Sequence, residues 1–211
     1  MEKALHAVKE ANRLADLIEL RVDYLKNPKL EPLLQTGEKP IIVTNRRREE
    51  GGRYTGDEKK RLAVLREAID LGASFVDVEV ESKPSSLREL VNHTDQTRLI
   101  LSFHDCQRTP SLAELHRLFG RMMRVGADVL KIVTLARAFE DNLRILSLIP
   151  YAEERKKKIV AFCMGEKGKM SRVFAPLAGA VWTFASLERK KTSAPGQLTV
   201  LEMRKVWEKL G

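Results

Sequence analysis

The chain has 211 residues, of which 43% are hydrophobic, enough for the core of one small α/β domain or barrel. It contains no apolar run long enough to span a membrane and no basic-then-apolar leader, so we expect a cytoplasmic protein that binds no membrane. The formal net charge is +9, but only 6% of residues are aromatic and none interleave with the basic clusters. The charge therefore favours an anionic small substrate over nucleic acid.

Helical and strand-like patterns alternate along the chain. In the first half they predict a helix at 2–14, a strand at 16–23, a helix at 28–34, a strand at 40–46, a helix at 57–72, a strand at 75–80, a helix at 87–91 and a strand at 98–103. In the second half they predict a helix at 111–122, a strand at 126–133, a helix at 138–149, a strand at 159–164, a helix at 173–178, a strand at 180–185 and a helix at 199–210. Asp57 is a predicted N-cap, and Ser111 with Glu114 and Thr199 with Glu202 match capping boxes.

Strands that alternate with helices predict parallel strands with the helices outside. The fold class is thus α/β, and about seven strands are close to the eight of a (β/α)₈ TIM-type barrel. We expect one barrel domain over residues 1–211, because no linker or repeat divides the chain. Cys106 and Cys163 lack metal-ligand spacing and are predicted to be reduced core thiols, and no metal or cofactor is expected.

Polar residues collect at the carboxyl ends of the predicted strands, where such barrels place their active sites. Lys131 lies in the middle of an apolar run, where desolvation favours the neutral amine that attacks a carbonyl. The alternative for Lys131 is a lysine near a strand end whose amine reaches water. His104 is suited to proton transfer, although a histidine held in a turn by its neighbours is an equal alternative.

Other charged residues near these ends have simpler interpretations. Arg47 and Arg48 are read as solvated loop residues, whereas Arg46 is kept as a candidate. Asp77 and Glu79 are more simply explained as carboxylates bonded in the barrel floor than as catalytic groups.

Several segments, in this order, resemble the type I 3-dehydroquinate dehydratases. They are Glu-Leu-Arg-Val-Asp at 19–23, Glu-Gly-Gly at 50–52, Ser-Phe-His-Asp at 102–105, Val-Leu-Lys-Ile at 129–132, Met-Gly-Glu-Lys-Gly-Lys-Met-Ser-Arg at 164–172 and Ser-Ala-Pro-Gly-Gln at 193–197. The last segment is the most specific, and the resemblance runs from residue 15 to the end of the chain.

The resemblance implies a cofactor-free lyase of the shikimate pathway that dehydrates 3-dehydroquinate to 3-dehydroshikimate. By position, Lys131 matches the Schiff-base lysine, His104 the general acid/base, and Glu50 the carboxylate that orients and tunes that histidine. The matching substrate contacts are Glu19, Arg21, Arg46, Arg172, Ser193 and Gln197. We also expect a homodimer.

The chain departs from the family pattern in two places. Asn45 stands beside Arg46 where the family usually has a bulkier apolar residue. The family also has a strand before the first helix, and because residues 1–14 have helical periodicity we expect this chain to lack that strand. Unpaired edges at 17–22 and 180–185 would follow.

Three alternatives remain open at this point. An aldolase that forms a Schiff base with a phosphorylated sugar would explain Lys131 but not the segments at 50–52 and 193–197. A module of a larger shikimate-pathway protein, or a fragment with weakened activity, would keep the same motifs. A basic scaffold or nucleic-acid binder is favoured only by the net charge.

Overall fold

The computed structural model describes residues 1–94, 96–189 and 192–211, and these fold into two compact units. The first unit comprises residues 1–101 and 125–127, and the second comprises residues 102–124 and 128–211. The prediction of a single domain stays a prediction. In the described part of the chain, no helix has the length and apolar character needed to cross a membrane.

Six strands form in the described residues, where seven were predicted. They are β1 Ile18–Arg21, β2 Ile41–Thr44, β3 Phe75–Glu79, β4 Arg98–Asp105, β5 Val129–Leu135 and β6 Lys158–Met164. The helices are α1 Glu2–Leu14, α2 Leu30–Thr36, α3 Glu58–Asp70, α4 Pro84–His93, α5 Leu112–Met123, α6 Phe139–Leu146, α7 Leu148–Glu153, α8 Lys169–Leu177 and α9 Val200–Leu210.

In the first unit, β1 pairs with β2 and β2 with β3, all in parallel. Every residue of β2 and β3 is buried, as expected for parallel strands covered on both faces. β1 instead alternates, so Ile18 and Leu20 are buried while Glu19 and Arg21 are half-buried. Asp57 caps α3 by accepting hydrogen bonds from the backbone N–H groups of Lys59 and Lys60, as predicted.

In the second unit, β5 and β6 pair in parallel over seven residues each. Helices α6, α7 and α8 pack against β6, and the Trp207 indole N–H of α9 donates to the Val173 carbonyl of α8. Both predicted capping boxes are present, at the starts of α5 and α9. The predicted helix at 138–149 is two helices, because Pro150 would clash with the carbonyl of residue 146, where α6 ends.

The strand predicted at 180–185 is wrong. The segment contacts β6 near its start, where the Val181 N–H donates to the Ile159 carbonyl. The chain then forms a single bridge, in which the Ser186 N–H donates to Leu198 and the Ser186 carbonyl accepts from Val200. A strand needs a ladder of several such hydrogen bonds. An apolar segment that forms only an isolated bridge is therefore not a strand.

The two cysteines differ from one another. Cys163 in β6 is a buried thiol as predicted, and burial raises its pKa, so it stays protonated. Cys106 is exposed, because β4 continues through Asp105 and places Cys106 in the turn that follows.

Candidate active site

Lys131 occupies the middle of β5 and is buried, with 4% of its surface exposed. Its register partner on β6 is Val160, which is also buried. The Lys131 Nζ atom lies 4.1 Å from the centroid of the Phe184 ring. The strand therefore holds a buried amine against an aromatic face, and Lys131 is not the water-reaching lysine of the alternative interpretation.

His104 lies near the carboxyl end of β4 and is half-buried. The next residue, Asp105, accepts hydrogen bonds at its Oδ1 atom from the backbone N–H groups of Gln107 at 2.8 Å and Arg108 at 3.0 Å. These bonds turn the chain immediately after the strand. His104 is thus held at the strand end, as active-site residues of parallel α/β folds are.

Arg172 on α8 is a buried cation, with 1% of its surface exposed. Its guanidinium carbon lies 4.5 Å from the centroid of Phe162, and Nη1 donates to the Phe184 carbonyl over a long 3.5 Å. Within residues 1–94, 96–189 and 192–211, no carboxylate pairs with it and its Nε has no hydrogen-bond acceptor. Burial lowers the pKa of Arg172 to about 10, so it stays charged at neutral pH without a counter-charge.

A buried polar network fixes the first turn of α8, which carries Arg172. Ser171 donates from Oγ to the Gly168 carbonyl and accepts the Cys163 N–H, both at 2.8 Å. Asn142 of α6 donates to the Lys167 carbonyl at 2.8 Å and accepts the Ser171 N–H at 3.4 Å. The peptide before Arg172 is therefore held from two sides, which limits where the guanidinium can lie.

The Ser-Ala-Pro-Gly-Gln segment forms a closed loop against the end of β6. The Gln197 Oε1 atom accepts from the Ser193 N–H at 3.0 Å and from the Ser193 hydroxyl at 3.3 Å. The Gly165 N–H, just after β6, donates to the Pro195 carbonyl at 3.0 Å. Gly196 has a φ of +73°, and a Cβ there would lie 2.1 Å from the Gly165 carbonyl oxygen, so only glycine fits.

In the first unit, Glu19 and Arg21 point to the half-buried face of β1. The Thr44 hydroxyl donates to Glu19 at 2.9 Å. Arg21 donates from Nε and Nη2 to both oxygens of Asp23, each at 2.8 Å. Burial alone would lower the pKa of Arg21, but the carboxylates of Asp23 and Glu19 raise it above its usual value. Arg21 is thus already engaged by a buried acid of its own strand end.

Arg46 follows β2 and is buried between two acids of β3. Nη2 lies 2.7 Å from Asp77 and Nη1 donates to Glu79 at 2.8 Å. Burial alone would lower the pKa of Arg46, but these carboxylates and that of Glu50 raise it strongly. The interpretation of Asp77 and Glu79 as bonded carboxylates is confirmed, and Arg46 is the group that they bind.

Glu50 is buried at the end of a 3₁₀ helix, Arg48–Glu50, in the loop after Arg46. Gly51 follows in the left-handed region with a φ of +78°. A Cβ at Gly52 would lie 2.0 Å from the Arg46 carbonyl oxygen, so the second glycine lets the loop fold back on Arg46. The Tyr54 N–H then donates to that same carbonyl at 3.1 Å. The Glu-Gly-Gly segment thereby places a carboxylate close to Arg46.

Each unit gathers part of the predicted site. The first contains Glu19, Arg21, Arg46 and Glu50, and the second contains His104, Lys131, Arg172, Ser193 and Gln197. Sequence reasoning missed the aromatic partners Phe162 and Phe184, and it missed Arg61 of α3, which pairs with Glu79. Arg61 precedes Leu65 by one helical turn, so a charge on the apolar stripe of α3 was the available signal.

The described residues contain no group of three or more His, Cys, Asp or Glu side chains that could hold a metal ion. The basic groups of the predicted site are instead Lys131, His104 and three arginines, of which Arg21 and Arg46 bind carboxylates.

Comparison with known proteins identifies the family. The 3-dehydroquinate dehydratase of Desulfotalea psychrophila is 36% identical over 195 residues, which cover 92% of this chain and 86% of that protein. The enzyme of the same name from Methanopyrus kandleri is 39% identical over 216 residues, covering 100% and 94%. The crystal structure of 3-dehydroquinate dehydratase from Geobacillus kaustophilus superposes with a TM-score of 0.89 at 25% identity, covering 98% and 85%. That structure and the crystal structure of the type I 3-dehydroquinate dehydratase from Clostridium difficile, with a TM-score of 0.86 at 25% identity that covers 98% of this chain and 86% of that one, confirm the predicted TIM-type α/β barrel class.

The family model described as type I 3-dehydroquinase matches residues 1–211, so the chain belongs to the type I 3-dehydroquinase family.

Proposed function

We propose that this chain dehydrates 3-dehydroquinate to 3-dehydroshikimate in the shikimate pathway, with Lys131 as the Schiff-base residue. Family membership over the whole chain and the names of its curated relatives support the reaction. The same comparisons favour the dehydratase over a Schiff-base aldolase. An aldolase would leave the motifs at 50–52 and 193–197 unexplained.

The observation that carries the residue assignment is a buried lysine and a buried arginine whose aromatic partners contact each other. Lys131 lies on Phe184 and Arg172 lies on Phe162, and the two ring centroids are 6.1 Å apart. Arg172 also donates to the Phe184 carbonyl. A primary amine near an arginine that has no acid partner matches a substrate with both a ketone and a carboxylate.

Each group has a role in the chemistry. The Lys131 amine adds to the ketone, and loss of one water gives an iminium. His104 removes a proton from the carbon beside the iminium, the C–H electron pair forms a C=C bond, and the C=N π electrons move onto nitrogen to give a neutral enamine. The enamine then expels the β-hydroxyl, which leaves as water with a proton from His104. Hydrolysis of the resulting iminium consumes one water and returns the amine, so the net change is loss of one water.

The remaining residues bind the substrate or tune the histidine. Arg172 binds the substrate carboxylate, because its planar guanidinium can donate two parallel N–H groups to it. Glu19, Arg21 and Arg46 contact the substrate hydroxyl groups, and the Ser193 to Gln197 loop covers the substrate and excludes water. The carboxylate of Glu50 orients and tunes His104.

The test is reduction of the imine. Borohydride added with 3-dehydroquinate should inactivate the protein and add the mass of the reduced adduct to the peptide that contains Lys131. Turnover is followed by the ultraviolet absorbance of the conjugated enone product. Lys131→Met should abolish both signals, whereas Lys158→Met, at the exposed first position of β6, should keep both. An adduct on another lysine, or an active enzyme that forms none, would contradict the assignment.

The proposal also includes a homodimer in the cytoplasm, which rests on sequence expectation alone. Light scattering on the purified chain tests the homodimer, and a monomeric mass at micromolar concentration would contradict it. Fractionation of the source cells tests the cytoplasmic location.

A further inference from the structure

Arg61 of α3 is a fully buried arginine whose five N–H groups all have acceptors. Nε and Nη2 bind both oxygens of Glu58 at 2.7 and 2.9 Å. The second N–H of Nη2 donates to the Ser82 hydroxyl at 2.9 Å, and Nη1 donates to Glu79 at 2.5 Å and to the Asn45 carbonyl at 3.0 Å. With no donor left over, Arg61 has no group with which to bind a substrate.

Two of these contacts lead directly to Arg46. Glu79 accepts a hydrogen bond from Arg61 at Oε2 and from Arg46 at Oε1. Its carboxylate is therefore held by two guanidinium groups, one on each oxygen. Asn45 is the residue before Arg46, and its amide donates back to the Arg61 carbonyl at 3.3 Å. Arg61 therefore holds both the acid that orients the Arg46 side chain and the peptide from which that side chain starts.

Charge gives the same result as geometry. Arg46 contacts two buried carboxylates, Asp77 and Glu79. Arg61 supplies a second cation for Glu79. Without Arg61, the buried Glu79 carboxylate would lose one of the two arginines that neutralise it. Removing one partner from a buried ion pair is destabilising. Burial alone would lower the pKa of Arg61, but Glu58 and Glu79 raise it, so its charge is secure.

We propose that Arg61 is a positioning residue for substrate binding, which acts through Glu79 and Asn45 to hold Arg46 in the orientation that contacts the substrate. The inference rests on the proposed function, in which Arg46 is a substrate contact. It also explains why Asn45 is buried, because its side-chain amide donates to the Arg61 carbonyl.

The experiment compares Arg61→Met and Arg61→Lys with Arg66→Met as the matched control. Arg66 lies on the same helix, is partly exposed and pairs with Glu89 at the surface. We expect Arg61→Met to raise KM for 3-dehydroquinate roughly 10-fold with kcat changed less than about 3-fold. Arg61→Lys should give a smaller rise, since lysine keeps the charge but loses the fork. Arg66→Met should match the native enzyme.

Borohydride labelling of Lys131 at saturating substrate separates positioning from general damage. A variant that is merely unstable would lose labelled protein, whereas a positioning defect leaves full labelling. If Arg61→Met does not fold by circular dichroism, Arg61→Lys decides, and if that also fails to fold, Glu58→Gln loosens Arg61 from its partly exposed side. A folded variant of this set with native KM, or with kcat lost at native KM, overturns the proposal. Failure of the native protein to turn over or to label would instead overturn the proposed function.

Discussion

Arg46 in the first unit and Arg172 in the second are both almost completely buried, with 2% and 1% of their surfaces exposed, but their partners differ. Arg46 is bonded to Asp77 and Glu79, which raise its pKa. Arg172 has aromatic and carbonyl neighbours and no acid among the described residues, and its pKa falls to about 10. The first arginine is part of a network of buried ion pairs, whereas the second carries a charge that no acid in residues 1–94, 96–189 and 192–211 compensates.

The difference favours different roles for the two arginines in the proposed reaction. A paired arginine such as Arg46 has an orientation that its carboxylates fix. A buried arginine without an acid partner loses its hydration on folding. A bound anion supplies the opposite charge and the hydrogen-bond acceptors that it lacks, so such an arginine is suited to the substrate carboxylate. Lys131 and His104 belong to the same unit as Arg172. We therefore expect changes in the second unit to affect catalysis without loss of stability, and changes around Arg46 to affect stability as well.

The largest expected effect is that of His104→Ala. Loss of a general acid/base should lower kcat by roughly 10²–10⁴-fold. Unfolding in urea should be unchanged, because His104 is only half-buried at a strand end. The control is His116→Ala on α5 in the same unit, where the ring stacks on Tyr151 at 3.9 Å and no role in the site is proposed. Near-native turnover of the His104 variant would remove this residue from the mechanism.

The matched pair Arg46→Met and Arg172→Met tests the comparison itself. Arg46→Met should lower the free energy of unfolding by about 3–5 kcal/mol, because it takes a cation from buried carboxylates. Arg172→Met should leave that free energy unchanged or raise it, since no ion pair is lost. It should raise KM roughly 10- to 100-fold, the loss expected for a charge-assisted contact.

Urea unfolding and steady-state kinetics of the two variants give both quantities. If Arg172→Met destabilises as much as Arg46→Met, then Arg172 has a structural role and its charge is not kept for the substrate. If KM and the affinity of a carboxylate inhibitor are unchanged in Arg172→Met, another arginine binds the carboxylate.

The smallest expected effect is that of Glu50→Gln. Because Glu50 is proposed to act through His104, removal of its charge should reduce kcat less than His104→Ala does. It should also displace the acid limb of the pH–rate profile to lower pH, since a histidine without a nearby negative charge is protonated less readily. A profile identical to that of the native enzyme would assign Glu50 to the structure of its loop, where it lies near Arg46.

Much of the candidate site could be predicted because its signals are local. Lys131 stands in an apolar run and His104 follows one, so the local pattern alone predicts that both lie at strands. Their burial and their neighbours were not predictable. Phe184 lies 53 positions beyond Lys131 in the chain, and nothing in the residues around either one indicates that the ring meets the amine.

The sequence by itself determined the helix starts at Asp57, Ser111 and Thr199, because a cap is a bond between residues two or three positions apart. It also determined the order of strands and helices, since the periodicity of apolar residues is a local property. Only the tertiary structure decided that residues 180–185 form no strand, because a ladder needs a neighbouring backbone. It likewise decided that Arg61 and Arg46 share Glu79 while Arg172 has no acid, because the pairing of buried charges depends on which side chains the fold places within a few ångströms of each other.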